Sequence, residues 1–204
     1  FLGASGKGRD AFKLLADLVV VDKSSPTPAQ TKGVSTFFTT GKIAMATEGS
    51  WRIDTYRKSL EAPFGIFLTP RGPGSPGQHV VYGWADAMSI SAFTKHPAAA
   101  WDWMMYMTGP GRPVDSILGG KVPIWKANAT SEAWLEKDQL PENKQLVLDS
   151  VDLIGKQVTM APLYDEWNAA VQSDFDKIIL GEGDFDAVMA ELKAKVEKVL
   201  ARAQ

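Results

Sequence analysis

Apolar positions recur at helical spacing near both ends of the chain and collapse into short runs through its middle. In residues 10–21, Ala11, Leu14, Leu15, Leu18 and Val19 repeat every three to four positions, which predicts an amphipathic helix. The KSSPTP stretch at 23–28 ends it, and a second short helix is predicted over 31–40. Toward the other end, Tyr164, Trp167, Val171, Phe175, Ile178 and Ile179 mark one face of a long helix opened by Pro162. Gly181 and Gly183 stop that helix, and Asp184 is placed to cap a final one. The stripe of this last helix is Phe185, Val188, Met189, Leu192, Val196, Val199 and Leu200.

The middle follows another pattern. Ile43-Ala44-Met45-Ala46 is an apolar run of strand length between turn signals, expected to deliver Trp51 just beyond its end. Residues 64–68 (FGIFL), 80–82 and 87–91 are strand-like as well, while 52–59 is polar and mixed. The loop at 69–78 (TPRGPGSPGQ) contains Gly-Pro-Gly but lacks the Gly-Lys-Ser/Thr ending and following helix of a phosphate cradle. Helices are predicted at 97–107, 113–118, 131–137 and 142–154, and Pro123 makes 122–125 extended. On the first of these, Ala100, Trp101, Met104 and Met105 form a packing face, so Trp101 and Trp103 are expected to act on stability.

Composition narrows the function. With 204 residues, 45% apolar and 23% charged, the chain has the make-up of a soluble globular protein of one large or two small domains. A formal charge of −2 gives no electrostatic case for nucleic acid. The absence of cysteine excludes disulfides, thiolate metal sites and cysteine nucleophiles. His79 and His96 stand apart, without His-x-x-x-His or Glu-x-x-His spacing, so neither a metal nor a cofactor is expected. No apolar run reaches the length of a membrane span. The chain opens on Phe1 with no signal segment, and reads as a piece whose beginning lies elsewhere.

Seven tryptophans are many for this length, and three clusters set one beside polar groups. They are Glu48-Gly49-Ser50-Trp51, Tyr82-Gly83-Trp84-Ala85-Asp86 and Tyr164-Asp165-Glu166-Trp167-Asn168. A sugar offers apolar C–H faces that stack on indole and hydroxyl rims that need carboxylate, amide or backbone partners. The competing reading is a glycosidase, which would draw two carboxylates from Glu48, Asp86, Asp165 and Glu166. Asp165 and Glu166 are neighbours about 100° apart on a helix and cannot be that pair together. No Gly-x-Ser-x-Gly elbow and no complete catalytic constellation is present. An interaction domain without a small ligand is the third reading.

Residues 38–51, FTTGKIAMATEGSW, match the pattern F-x-x-G-K-x-A-M-x-x-x-G-x-W. This stretch resembles the extracellular solute-binding proteins of sugar-uptake ABC transporters, the maltose-binding-protein-like group. Its Gly-Lys-x-Ala-Met order is the most specific part. The preceding helix, the FGIFLTP strand, the KHPAAAW helix start at 95–101 and the two closing helices resemble the family in the same order. The resemblance implies an α/β, periplasmic-binding-protein-like (type II) two-lobed fold, of which this chain is the C-terminal half. Residues 1–63 and 117–204 would then belong to the C-terminal lobe, and 64–116 would cross into the N-terminal one. It further implies a sugar or oligosaccharide held in an interlobe cleft, delivery to an ABC permease, and no enzymatic activity. The alternatives are a glycosidase-like enzyme or a non-sugar solute on the same fold.

By the same resemblance, Trp51 stacks on the sugar, and the polar cluster that holds it makes Glu48 and Ser50 ligand candidates beside it. Trp167 and Tyr164 form an aromatic pocket helix, and Trp84 and Asp86 approach the cleft. The location implied is the periplasm, or the cell exterior as a membrane-anchored lipoprotein. Because family members are longer, the missing N-terminal half is an expected partner, without which residues 64–68 and 97–107 would leave sheet edges and apolar faces open.

Overall fold

The computed structural model describes residues 6–30, 34–71, 79–83, 85–109, 120–154 and 163–203. Its α-helices are α1 (Lys7–Val20), α2 (Val34–Thr39), α3 (Ile53–Ser59), α4 (Pro97–Thr108), α5 (Lys126–Ala129), α6 (Glu132–Leu135), α7 (Gln145–Asp149), α8 (Tyr164–Leu180) and α9 (Phe185–Leu200). Among the described residues, none of these is long and apolar enough to cross a membrane. The chain packs as two units, one from residues 1–37 and 158–204, the other from 38–157.

The first unit is built from α1, α8 and α9, whose apolar stripes meet as their spacing requires. Phe12, Ala16, Ile178, Met189 and Leu192 form its buried cluster, flanked by Val171, Phe175, Phe185, Val188 and Val196. The Phe12 ring meets Phe175 edge-on at 6.1 Å. Both helix signals act as expected: Asp184 accepts a hydrogen bond from the Ala187 N–H at 2.9 Å, and Gly181 ends α8 at φ +66. Gly181 is needed twice over, because a Cβ there would also press on Val20 at 3.3 Å. Asp174, 1% exposed, accepts from Lys195 at 2.7 and 2.9 Å and from Lys177 at 3.2 Å. Burial alone would raise its carboxyl, but the hydrogen bonds from Lys195 and then Lys177 hold it below the usual carboxylate range.

The second unit centres on α3, formed by the segment expected to be merely polar and mixed. Ile53 and Tyr56, three positions apart, both turn inward and are buried, which is enough to fix a short helix. Phe38 and Phe64 pack on the Tyr56 ring at centroid distances of 4.9 and 5.9 Å. A charged hub fastens α3 to the turn after α6. Glu136 accepts from Arg57 Nη1 and from Lys144 Nζ, each at 2.7 Å, and Arg57 Nε donates to the Leu140 carbonyl. Lys144 is 3% exposed; it also donates to the Trp134 carbonyl at 2.5 Å and lies 4.5 Å over the Trp134 ring. Trp134 in turn donates from its indole N–H to the Lys121 carbonyl at 2.9 Å, fixing the loop after Gly120.

The expected strands need correction. Residues 43–46 form no ladder among the described residues and Met45 is exposed, so the run is an irregular segment rather than a buried strand. Residues 64–68 also lack a neighbouring strand there. Instead one side-chain amide stands in: Ile66 N–H donates to Asn143 Oδ1 at 3.0 Å, and Asn143 Nδ2 donates to the Ile66 carbonyl at 2.6 Å. Among the described residues the ladder-type pairing is the isolated parallel bridge of Val81 with Ile154, where Val81 N–H donates to the Leu153 carbonyl at 3.0 Å.

Helix α4 carries Pro97 in its first turn and ends at Gly109, as its sequence predicts. Its packing face is only half realised. Ala100 and Met104 are half-buried, whereas Trp101, Trp103, Met105 and Tyr106 are exposed, with the Trp103 and Tyr106 rings stacked at 5.7 Å. The expectation that Trp101 and Trp103 serve stability therefore does not hold for the described chain. The helix predicted at 113–118 lies outside the described residues. That at 142–154 divides into α7 and a 3-10 turn over Val151–Leu153.

Candidate functional site

The 48–51 turn depends on glycine. Gly49 is extended, and a Cβ there would fall 2.0 Å from Cζ3 of Trp51, so the indole folds back over main chain that only glycine leaves bare. Ser50 opens a 3-10 turn, Ser50–Arg52, that runs directly into α3. From the other side Gly120, at φ +83, comes so near that a Cβ would lie 2.5 Å from the Ser50 carbonyl oxygen and 3.2 Å from Ile53 Cβ. The turn is thus seated between its own helix and the loop that Trp134 fixes.

Around this turn, within the second unit, lies an open cleft of about 1360 Å³. Its lining includes Glu48, Gly49, Ser50, Trp51, Arg52, Tyr56, Phe64, Tyr82, Asp86 and Lys121. Four of the predicted site residues (Trp51, Glu48, Ser50 and Asp86) therefore share one cavity. Trp51 is 38% exposed, so it is a wall of the cleft rather than core. Glu48 faces Arg52 Nε at 3.5 Å, and Asp86 is paired with Lys121. These four are the charged residues of the described lining, and their charges cancel. Aromatic and apolar walls with balanced charge suit an uncharged solute, since an ion would find no net counter-charge to offset its desolvation.

The remaining predicted residues belong to the first unit or fall outside the described residues. Tyr164 and Trp167 belong to the first unit, where their rings meet edge-on at 4.9 Å on the first turn of α8. Trp84 is outside the described residues. Among the described residues no three His, Asp or Glu side chains gather to hold a metal, and His79 Nδ1 is engaged with the Thr69 carbonyl at 2.9 Å.

Three lining residues went unmarked in the sequence: Arg52, Tyr56 and Lys121. The Tyr56 hydroxyl is buried and lacks a hydrogen-bond partner among the described residues. Burial, and then the Glu48 charge, raise it above its ordinary value of 10.0 against the opposing pull of Arg52, so it is a protonated donor at neutral pH. The spacing of Arg52 and Tyr56, one helical turn apart just after Trp51, was the signal available for them.

Residues 4–142 match the family model of bacterial extracellular solute-binding proteins. That span holds the whole 38–51 motif and, with it, Trp51, Tyr56 and Asp86; Tyr164 and Trp167 lie beyond it. No curated protein matches the chain. Since the match runs through the motif that seats the cleft and across well over half of the sequence, the chain belongs to the family of bacterial extracellular solute-binding proteins.

Proposed function

We propose that the solute is a sugar or oligosaccharide, captured at the cleft around Trp51 and delivered to an ABC permease. The family itself supplies the coarser part, a solute-binding role in transport. The observation that carries the sugar reading is the cleft: an accessible indole beside hydroxyl groups, two carboxylates and two cations whose charges sum to zero. A pyranose ring needs both, a flat apolar face for its C–H groups and polar partners for its rim. Trp51, Glu48, Ser50 and Asp86 are the residues placed in this role.

The fold we propose is the two-lobed α/β type II architecture, with residues 64–116 as the segment crossing between lobes and the missing N-terminal half as its complement. Support comes from α4, whose aromatic side chains stand exposed, and from residues 64–68, whose backbone pairs with one asparagine amide rather than with a strand among the described residues. Closure of the lobes about the sugar would present it to the permease. The family is described as extracellular, and a periplasmic or lipoprotein-anchored form is part of the same proposal. We read the chain as a binder rather than a glycosidase, because Glu48 and Asp86 each stand beside a cation and the family is defined by solute binding.

Trp51→Ala tests the assignment. It is expected to weaken sugar binding by about 1–3 kcal/mol, roughly five- to 150-fold, while the melting temperature stays nearly constant. Calorimetric titration of the variant beside the unaltered protein reads the first, and a thermal melt reads the second. Unaltered affinity, or a variant that unfolds, would remove Trp51 from the site.

A further inference from the structure

Two hydrogen-bond donors on the α3 side of the cleft have no acceptor among the described residues. They are the Tyr56 hydroxyl and Arg52 Nε, both buried, on residues that line the cavity. Tyr56 is 7% exposed, and its ring is already packed by Phe38 and Phe64. A phenylalanine would make the same ring contacts without burying an orphan hydroxyl, so packing does not account for the oxygen. Arg52 precedes Tyr56 by one helical turn, which sets the two donors on one face. Glu48 stands 3.5 Å from Arg52 Nε, near enough to neutralise its charge but beyond the usual N–H···O range of about 2.7–3.2 Å.

We propose that Tyr56 and Arg52 form the donor pair of the cleft, reading an acceptor oxygen of the solute, and that for a sugar this oxygen is a hydroxyl flanked by Glu48. This assignment rests on the sugar reading of the same cleft. A hydroxyl fits where other groups do not. It accepts from the Tyr56 O–H and the Arg52 Nε–H, and its own proton is donated to the Glu48 carboxylate. A carboxylate or phosphate on the solute would accept both bonds but face Glu48 with like charge, and an ammonium has no lone pair to offer the donors. On a sugar, the subsite therefore selects an uncharged group that donates and accepts at once.

Tyr56→Phe separates this role from a structural one. Without sugar, the variant is expected to melt no lower than the unaltered protein, because an unsatisfied buried hydroxyl has been removed. Its affinity for the sugar that the unaltered protein binds, taken from a panel of mono- and oligosaccharides, is expected to fall at least tenfold. Arg52→Lys, which keeps the charge and removes Nε–H, should lower affinity in the same direction. A variant melting clearly lower without sugar would overturn the proposal, since the hydroxyl would then have a partner within the protein. Equal sugar affinity in Tyr56→Phe would overturn it too. If the unaltered protein binds no sugar but binds a dipeptide, the sugar reading fails by itself. The donor pair then stands if Tyr56→Phe weakens dipeptide binding tenfold, through a carbonyl acceptor, and falls if it does not. Binding of neither class overturns both.

Discussion

Glu136→Ala is expected to destabilise the second unit by about 3–5 kcal/mol, the range for removing one partner from a buried ion pair. Lys144 is nearly inaccessible, and its ammonium depends on Glu136, the Trp134 carbonyl and the Trp134 ring. Deleting the carboxylate leaves that charge in place with nothing to neutralise it, and Arg57 loses its link to the α6 turn at the same time. Urea denaturation at neutral pH measures the loss. A change below about 1 kcal/mol would mean that the hub behaves as an exposed surface pair.

The same hub gives the protein an acid limit. In Glu136, burial pushes the carboxyl upward, but hydrogen bonds from Lys144 and Arg57, reinforced by their charges, bring it below its ordinary value of 4.5. Asp174 is likewise held below 3.8 in the first unit. A carboxylate depressed in the folded state contributes fully above its unfolded value, and that contribution is lost as pH falls through the folded one. Stability should therefore hold steady above the ordinary carboxylate values and decline below them. Glu136→Gln should remove part of the decline, together with part of the stability at neutral pH.

The second large effect belongs to the first unit. Leu192 is 0% exposed, in the cluster with Phe12, Ala16, Ile178 and Met189, so Leu192→Ala is expected to destabilise by about 2–5 kcal/mol through lost burial and the cavity left behind. Trp101→Ala supplies the contrast, because an exposed side chain should change stability by no more than about 0.5 kcal/mol. Thermal or denaturant unfolding of both variants checks the pair. Equal effects would show that burial in α1, α8 and α9 does not carry the unit's stability.

What the sequence revealed depended on how local the determining interaction was. α1, α8 and α9 were legible because their stripes repeat over many turns and their ends use adjacent residues, Gly181 by its positive φ and Asp184 by its cap. The strand-like runs were not, because a strand exists only with a partner. For Ile66 that partner is Asn143, 77 positions away and not a strand at all. At the site, the 38–51 motif led to Trp51, Glu48 and Ser50, and the aromatic-acid pattern led to Asp86. It did not show that Gly49 is the seat of the indole, or that Gly120 props the same turn, since both are close approaches across the fold. Tyr56 was hidden for a related reason. Its ring reads as core and its hydroxyl as incidental until the lack of a partner among the described residues is seen.

Calorimetric titration of the unaltered protein decides whether this cleft takes an uncharged sugar. The panel consists of mono- and oligosaccharides, with dipeptides and polyamines as the comparison. Saturable binding of at least one sugar is expected, with no binding of the charged solutes at the same concentrations. Tight binding of a polyamine or dipeptide, with no heat from any sugar, would contradict it.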